Sequence, residues 1–229
     1  MLGDLSTTVV VFDLDDTLYQ EADYVDSGVR YVCEQIEALC GHEIYFKIKT
    51  ALEKNPRLDW LNLACEHSKF PISAKESLLW MYRLHFPKIN LSRPCIEALN
   101  VIRLKCRAVA VLTDGRSVTQ RLKLKALGIS DLPAYISEDY GELKPSPGRF
   151  KAIQVDYPAE HYVYIADNLQ KDFLGCNPLG WITVGMLADI RSVHTQVVTD
   201  YPSSAQPRYW VSSWQDLTKL LFTQKLGSS

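Results

Sequence analysis

The first apolar run of the chain is Val9-Val10-Val11-Phe12, and it ends on Asp13-Leu14-Asp15-Asp16-Thr17. A short β-branched run without polar alternation predicts a strand buried on both faces. After Thr17 the period changes. Val25, Val29, Val32, Cys33, Ile36, Leu39 and Cys40 fall at three- and four-residue spacing, which predicts a helix with one apolar face, ended by Gly41. Further helices are predicted over residues 44–54, 59–66 and 75–85. The last of these opens on the capping-box pattern Ser73-Ala74-Lys75-Glu76. No strand–turn–strand signal occurs between residues 19 and 87, so that block reads as all-helical.

From Ser92 onward the pattern alternates. A helix over 95–104 precedes a strand over 108–114, then a helix over 117–127 with Gly128 beyond its end. A strand over 134–136 is followed by a helix over 147–154, with Pro147 at its first position. Strands follow over 162–166, running into Asp167, and over 181–185 and 209–211. A helix over 214–221 closes the chain, and residues 200–207 read as a surface loop. Strands alternating with helices predict an α/β fold, a Rossmann-like parallel sheet covered by helices on both faces. The predicted division is a core of residues 1–18 and 88–229, interrupted by an inserted helical domain of residues 19–87.

Composition narrows the function classes. A net charge of −2 over 229 residues leaves no basic footprint for a nucleic acid polymer or an anionic membrane, and no apolar run approaches a membrane span. The N-terminus lacks the basic and apolar regions of a secretory signal. The six cysteines form no C-x-x-C pair, which argues against a zinc cage and for reduced thiols in the cytoplasm. The five histidines are dispersed, without metal-ligand spacing. Neither G-x-G-x-x-G nor G-x-x-x-x-G-K-[ST] occurs, so nucleotide-cofactor chemistry has no support.

The candidate chemistry lies at strand ends. Open α/β sheets bind ligands beyond the carboxyl ends of their strands. This chain places Asp13, Asp15 and Thr17 there, then Thr113 and Asp114, then Asp167. Lys144 falls on the loop after the 134–136 strand, and Asp172 lies five residues past Asp167. So many carboxylates repel one another unless a cation sits among them, and their hard oxygens suit magnesium. One carboxylate can attack phosphorus to form an aspartyl-phosphate, and a second, two residues on, can protonate the leaving oxygen and then activate water. Lysine and hydroxyl donors can stabilise the transferring oxygens.

Four segments then carry a family resemblance: Asp13-Leu14-Asp15-Asp16-Thr17, Val111-Leu112-Thr113-Asp114-Gly115, Leu143-Lys144-Pro145-Ser146-Pro147 and Asp167-Asn168-Leu169-Gln170-Lys171-Asp172. In this order they resemble the motifs of haloacid dehalogenase (HAD) superfamily phosphatases. The helical insert resembles the C1 cap of that superfamily's first subfamily, the group with nucleotide, sugar-phosphate and acylneuraminate-phosphate phosphatases. At two positions the pattern allows variants: Asp16 stands where many relatives have glycine, and Ala166 precedes Asp167 where glycine or a small residue is usual.

The resemblance implies that Asp13 is nucleophile and magnesium ligand. Asp15 would be the general acid/base, with its main-chain carbonyl on the metal. Thr113, Lys144 and the backbone N–H of Asp114 would bind the phosphoryl oxygens. Asp167 would ligate magnesium, Asp172 would support it and Thr17 would hold the loop. The implied activity is magnesium-dependent hydrolysis of a small-molecule phosphate ester, a sugar phosphate or nucleoside monophosphate, by a cytoplasmic monomer or homodimer. A phosphomutase and a silent binding protein are the alternatives. Asp172 also reads as an acid at a helix N-terminus, and Arg116 as either a substrate contact or a surface arginine. Tyr19, Gln20, Tyr24 and Trp60 are candidates for the cap cleft, with core packing the competing reading for Tyr24 and Trp60.

Overall fold

The computed structural model describes residues 5–187, 196 and 200–223. Strand β1 (Thr8–Phe12) is buried at all five positions, as its unbroken apolar run requires. It pairs in parallel with β2 (Ala108–Thr113) on one side and β4 (His161–Ala166) on the other. β3 (Ala134–Ile136), β5 (Ile182–Met186) and β6 (Tyr209–Val211) complete a parallel sheet of order β3-β2-β1-β4-β5-β6. The winding direction reverses at β1, so the carboxyl ends of β1 and β4 open into the crevice where such sheets bind ligands.

Successive β1 side chains go to opposite faces. Val10 and Phe12 join Leu99 and Ile102 of α5 (Arg93–Lys105), Leu124 of α6 (Ser117–Ala126) and Leu217 of α9 (Trp214–Thr223). Val9 and Val11 join Phe150 and Ile153 of α8 (Gly148–Asp156), together with Phe173. Helices thus cover both faces, as the alternating pattern predicts.

Between β1 and β2 the chain forms α1 (Glu21–Cys40), α2 (Tyr45–Lys54), α3 (Trp60–Ser68) and α4 (Lys75–Leu84) ahead of α5. These four share their own apolar cluster, in which Val32 and Ile36 of α1 meet Ile48, Leu61, Ala64 and Leu78. Gly41 caps α1 in the left-handed conformation at φ 70°. Gly28 allows a close helix–helix approach: a Cβ there would lie 2.3 Å from a ring carbon of Tyr82. The return path to the sheet is bonded to α1. The Ser27 hydroxyl accepts from the Lys88 N–H (2.8 Å) and donates to His85 Nε2 (3.2 Å), while His85 Nδ1–H donates to the Tyr82 carbonyl (2.6 Å). Burial holds the His85 pKa below its ordinary value, so this buried ring stays neutral.

Several boundaries differ from the sequence pattern. The Ser73 capping box does not form: residues Ile72–Ala74 make a 3-10 turn, and α4 starts after Ala74 without a side-chain cap. α5 begins earlier than its apolar spacing suggests, because Ser92 accepts from the Cys95 N–H and Pro94 fits the first turn. Pro147 precedes α8 rather than opening it. The short α7 (Ser137–Tyr140) is one turn long and offers no periodicity to read. Residues 200–207 are more than a surface loop. Ser203–Ala205 form a 3-10 turn with Ala205 buried, and Asn177 Nδ2 donates to the carbonyls of Ser204 and Gln206.

Candidate active site

The ends of β1, β2 and β4 deliver acids and a hydroxyl to the crevice. Asp13 follows β1, where its N–H donates to the Ile165 carbonyl of β4 (2.9 Å) and extends the ladder by one residue. Asp167 follows β4, Thr113 ends β2, and Lys144 lies on the loop between α7 and α8. Asp13, Lys144, Asp167 and Asp172 are all buried. Lys144 Nζ stands between Asp13 Oδ1 (2.9 Å) and Asp172 Oδ1 (2.6 Å), with the Tyr164 hydroxyl at 3.2 Å. Oxygens of Asp13, Asp167 and Asp172 lie within 4.8 Å of one another. Asp172 is not on a helix; its Oδ2 accepts from the Asn168 N–H (2.8 Å). Thr17 Oγ1 donates to Asp167 Oδ1 (3.2 Å), whereas Asp167 Oδ2 is buried with no hydrogen-bond partner.

This cluster is electrostatically costly. Burial pushes Asp13 up to about 6, with Lys144 opposing and Asp172 adding to the rise. Burial, then Asp13 and Asp172, push Asp167 up to about 8. Burial also disfavours the charge on Lys144, but Asp13 and Asp172 outweigh it and hold the ammonium protonated well above its ordinary range. An unpartnered buried carboxylate oxygen facing two further carboxylates is a poor end state for a protein interior. It is a fitting donor set for a hard divalent cation, so the buried acids can bind a metal.

Asp15 points elsewhere. Its carboxylate forms a two-point ion pair with Lys123 Nζ, 2.7 and 3.0 Å to the two oxygens. The Tyr19 hydroxyl donates to Oδ1, and Gln120 Nε2 donates to Oδ2 (3.3 Å). Burial opposes ionisation of Asp15, yet Lys123 foremost, then Tyr19 and Gln120, bring its pKa below the ordinary value. The same Gln120 amide reaches Thr113 Oγ1 (3.2 Å) and the Asp114 carbonyl (2.6 Å). The Asp114 carboxylate is occupied by Arg149 Nη2 (2.5 Å) and the Lys144 N–H (3.2 Å), so its side chain ties the β2 end to the Lys144 loop. Asp16 turns the chain at φ 53° and accepts from the Glu21 N–H that opens α1 (2.9 Å).

A cleft of about 330 Å³ lies over these residues, walled by Asp13, Asp15, Thr113, Asp167, Glu21 and Lys171 among others. Glu21 enters from the first turn of α1, and burial, then Asp15, push its carboxyl up to about 7. Of the cap-cleft candidates, Tyr19 reaches Asp15, and the buried Tyr24 ring covers Lys123 Nζ at 4.1 Å from its centroid. Trp60 packs on Tyr82 inside the helical cluster, and Gln20 precedes α1. Arg116 is a surface residue, paired with Glu138 (2.6 Å).

Sequence reading missed Lys123, Gln120, Arg149, Glu21 and Lys171. Lys123 and Gln120 share an α6 face by their three-residue spacing, but polar residues at that spacing ordinarily mark a solvated face.

Comparison with known proteins finds relatives of the chain. No family profile matches the chain. A glyceraldehyde 3-phosphate phosphatase of Methanopyrus kandleri is 27% identical over 229 aligned residues, covering 92% of this chain and 98% of the relative. A ribulose-1,5-bisphosphate 5-phosphatase of Halopiger xanaduensis is 22% identical, covering 93% and 99%. In structure, the magnesium-bound HAD-type hydrolase YfnB of Bacillus subtilis superposes with a TM-score of 0.63 at 19% identity, covering 94% of this chain and 98% of that one. That likeness shows a shared fold.

Proposed function

We propose that this chain is a phosphatase of the haloacid dehalogenase superfamily that hydrolyses small sugar-phosphate monoesters through an aspartyl-phosphate. The observation that carries the reading is the buried juxtaposition of Asp13 with Lys144, Asp167 and Asp172, beside an acid two residues on. The relatives' named substrates, glyceraldehyde 3-phosphate and ribulose-1,5-bisphosphate, are of this class.

In this reading an Asp13 oxygen attacks phosphorus as the ester P–O bond breaks. Asp15, a carboxylate in the free site, must first take up a proton, which it then gives to the leaving oxygen. Water then attacks the aspartyl-phosphate, its proton passes to Asp15, and inorganic phosphate leaves with the Asp13 carboxylate restored. Lys144, charged and bonded to Asp13, orients the nucleophile and offsets negative charge on the transferring oxygens. Thr113 and the Asp114 N–H are the further proposed donors to those oxygens. Magnesium would be held by Asp13, Asp167 and the Asp15 carbonyl, with Asp172 in support, and supplies charge neutralisation when bound. The helical block of residues 19–87 is the proposed cap; Glu21 at its base suits the hydroxyls of a polyol phosphate. A cleft of about 330 Å³ suits a small ester rather than a phosphoprotein. The described cysteines are all free thiols, in keeping with a reducing compartment such as the cytoplasm.

The test is phosphate release from three- to five-carbon sugar phosphates and nucleoside monophosphates, with and without magnesium. Magnesium-dependent turnover of sugar phosphates is expected. Folded protein that releases phosphate from none of them would refute the reading.

A further inference from the structure

We infer that Lys123 is a positioning residue that holds the Asp15 carboxylate, through a two-point ion pair, in place to receive the proton of the attacking water. This rests on the phosphatase reading above. Lys123 is 4% exposed and comes from the middle of α6, the helix that also carries Gln120. Among the described residues, the carboxylate within ion-pair distance of its ammonium is that of Asp15. Both oxygens are engaged, so rotation of the carboxylate as well as its position is constrained.

The neighbours reinforce this placement. Tyr19 donates to Oδ1, from the segment that leads into α1, and Gln120 donates to Oδ2. Gln120 bonds with the same nitrogen to Thr113 and the Asp114 carbonyl, which registers Asp15 against the β2 end where the phosphoryl oxygens are proposed to sit. The Tyr24 ring closes over the ammonium from α1. A carboxylate that accepts from three side chains is fixed in position and ionised, the form that can take up a proton. Holding it at a fixed distance and angle from the phosphoenzyme is what a general base requires.

Atoms balance in the step concerned. Water oxygen bonds to phosphorus, the bond from phosphorus to the Asp13 oxygen breaks, the water proton goes to Asp15, and Asp13 regains its charge. Formation of the phosphoenzyme from p-nitrophenyl phosphate needs no such help, because p-nitrophenolate departs without a proton. Loss of Lys123 therefore slows the second half of the cycle and spares the first.

The experiment is rapid-quench kinetics with p-nitrophenyl phosphate and magnesium, on wild type and Lys123→Met. For Lys123→Met we expect a burst of p-nitrophenolate stoichiometric with enzyme, accumulation of acid-stable phosphoprotein, and a steady-state rate lower by about 100-fold. Tyr19→Phe should show the same burst with a smaller loss, and it decides the matter should Lys123→Met fail to fold. Unchanged turnover, or a slowed steady state without a burst, would overturn the assignment of Lys123. A wild type that releases no p-nitrophenolate would instead overturn the phosphatase reading on which it rests.

Discussion

Asp167 illustrates how the site trades stability for chemistry. Its folded pKa of about 8 lies above the ordinary carboxylate value of 3.8, so between those values the folded state binds more protons than the unfolded one. Metal-free protein should therefore lose stability as pH rises from about 4 to about 8. Asp167→Asn removes one of the facing charges. It should raise the metal-free melting temperature at pH 8 and abolish any further rise on adding magnesium, both readable by thermal denaturation. Asp13→Asn should keep the fold and lower turnover by at least about 1,000-fold, checked by phosphate release. Asp13, Asp114 and Asp167 were legible because each follows an apolar run, which places it at a strand terminus. Lys123 and Gln120 were not. Their inward direction depends on where α6 docks, and nothing in a polar helical face records that.

The loops that carry the acids are held by contacts a sequence does not display. Gly175 lies in the turn after Asp172, and a Cβ there would stand 2.3 Å from the Pro145 carbonyl oxygen, next to Lys144. That oxygen is main chain and has no flexible end to yield. Gly175→Ala should cost about 1–3 kcal/mol in chemical denaturation, and it should lower turnover by displacing the Lys144 loop from Asp13. Strand and helix identities followed from the apolar pattern: β1 from an unbroken run buried on both faces, α1 from a face that repeats at three- and four-residue spacing. Helix starts did not. Ser73 has the right spacing to Glu76 for a cap, yet Pro71 and the 3-10 turn after it direct the chain differently. Ser92, by contrast, caps α5 as a serine before a proline-containing first turn should.

The helical block joins the sheet through two crossings, and the second is bonded to the first through Ser27, His85 and Lys88. Ser27→Ala would leave the buried His85 nitrogen and the Lys88 N–H without their partner. A loss of about 1–3 kcal/mol is expected in denaturant unfolding. The helical character of the stretch between β1 and β2 was readable, since no strand signal interrupts it, but this lock was not: it pairs residues 58 and 61 positions apart.

The order of the sheet has a temporal consequence. β1 is made before both of its partners, β2 some 100 residues later and β4 some 150 residues later. Until residue 165 has been made, one edge of a Val-Val-Val-Phe segment has no permanent neighbour. Such non-local pairing slows folding and leaves an adhesive strand exposed to other chains. The segment that runs into the proposed nucleophile is thus also one that waits unpaired during synthesis.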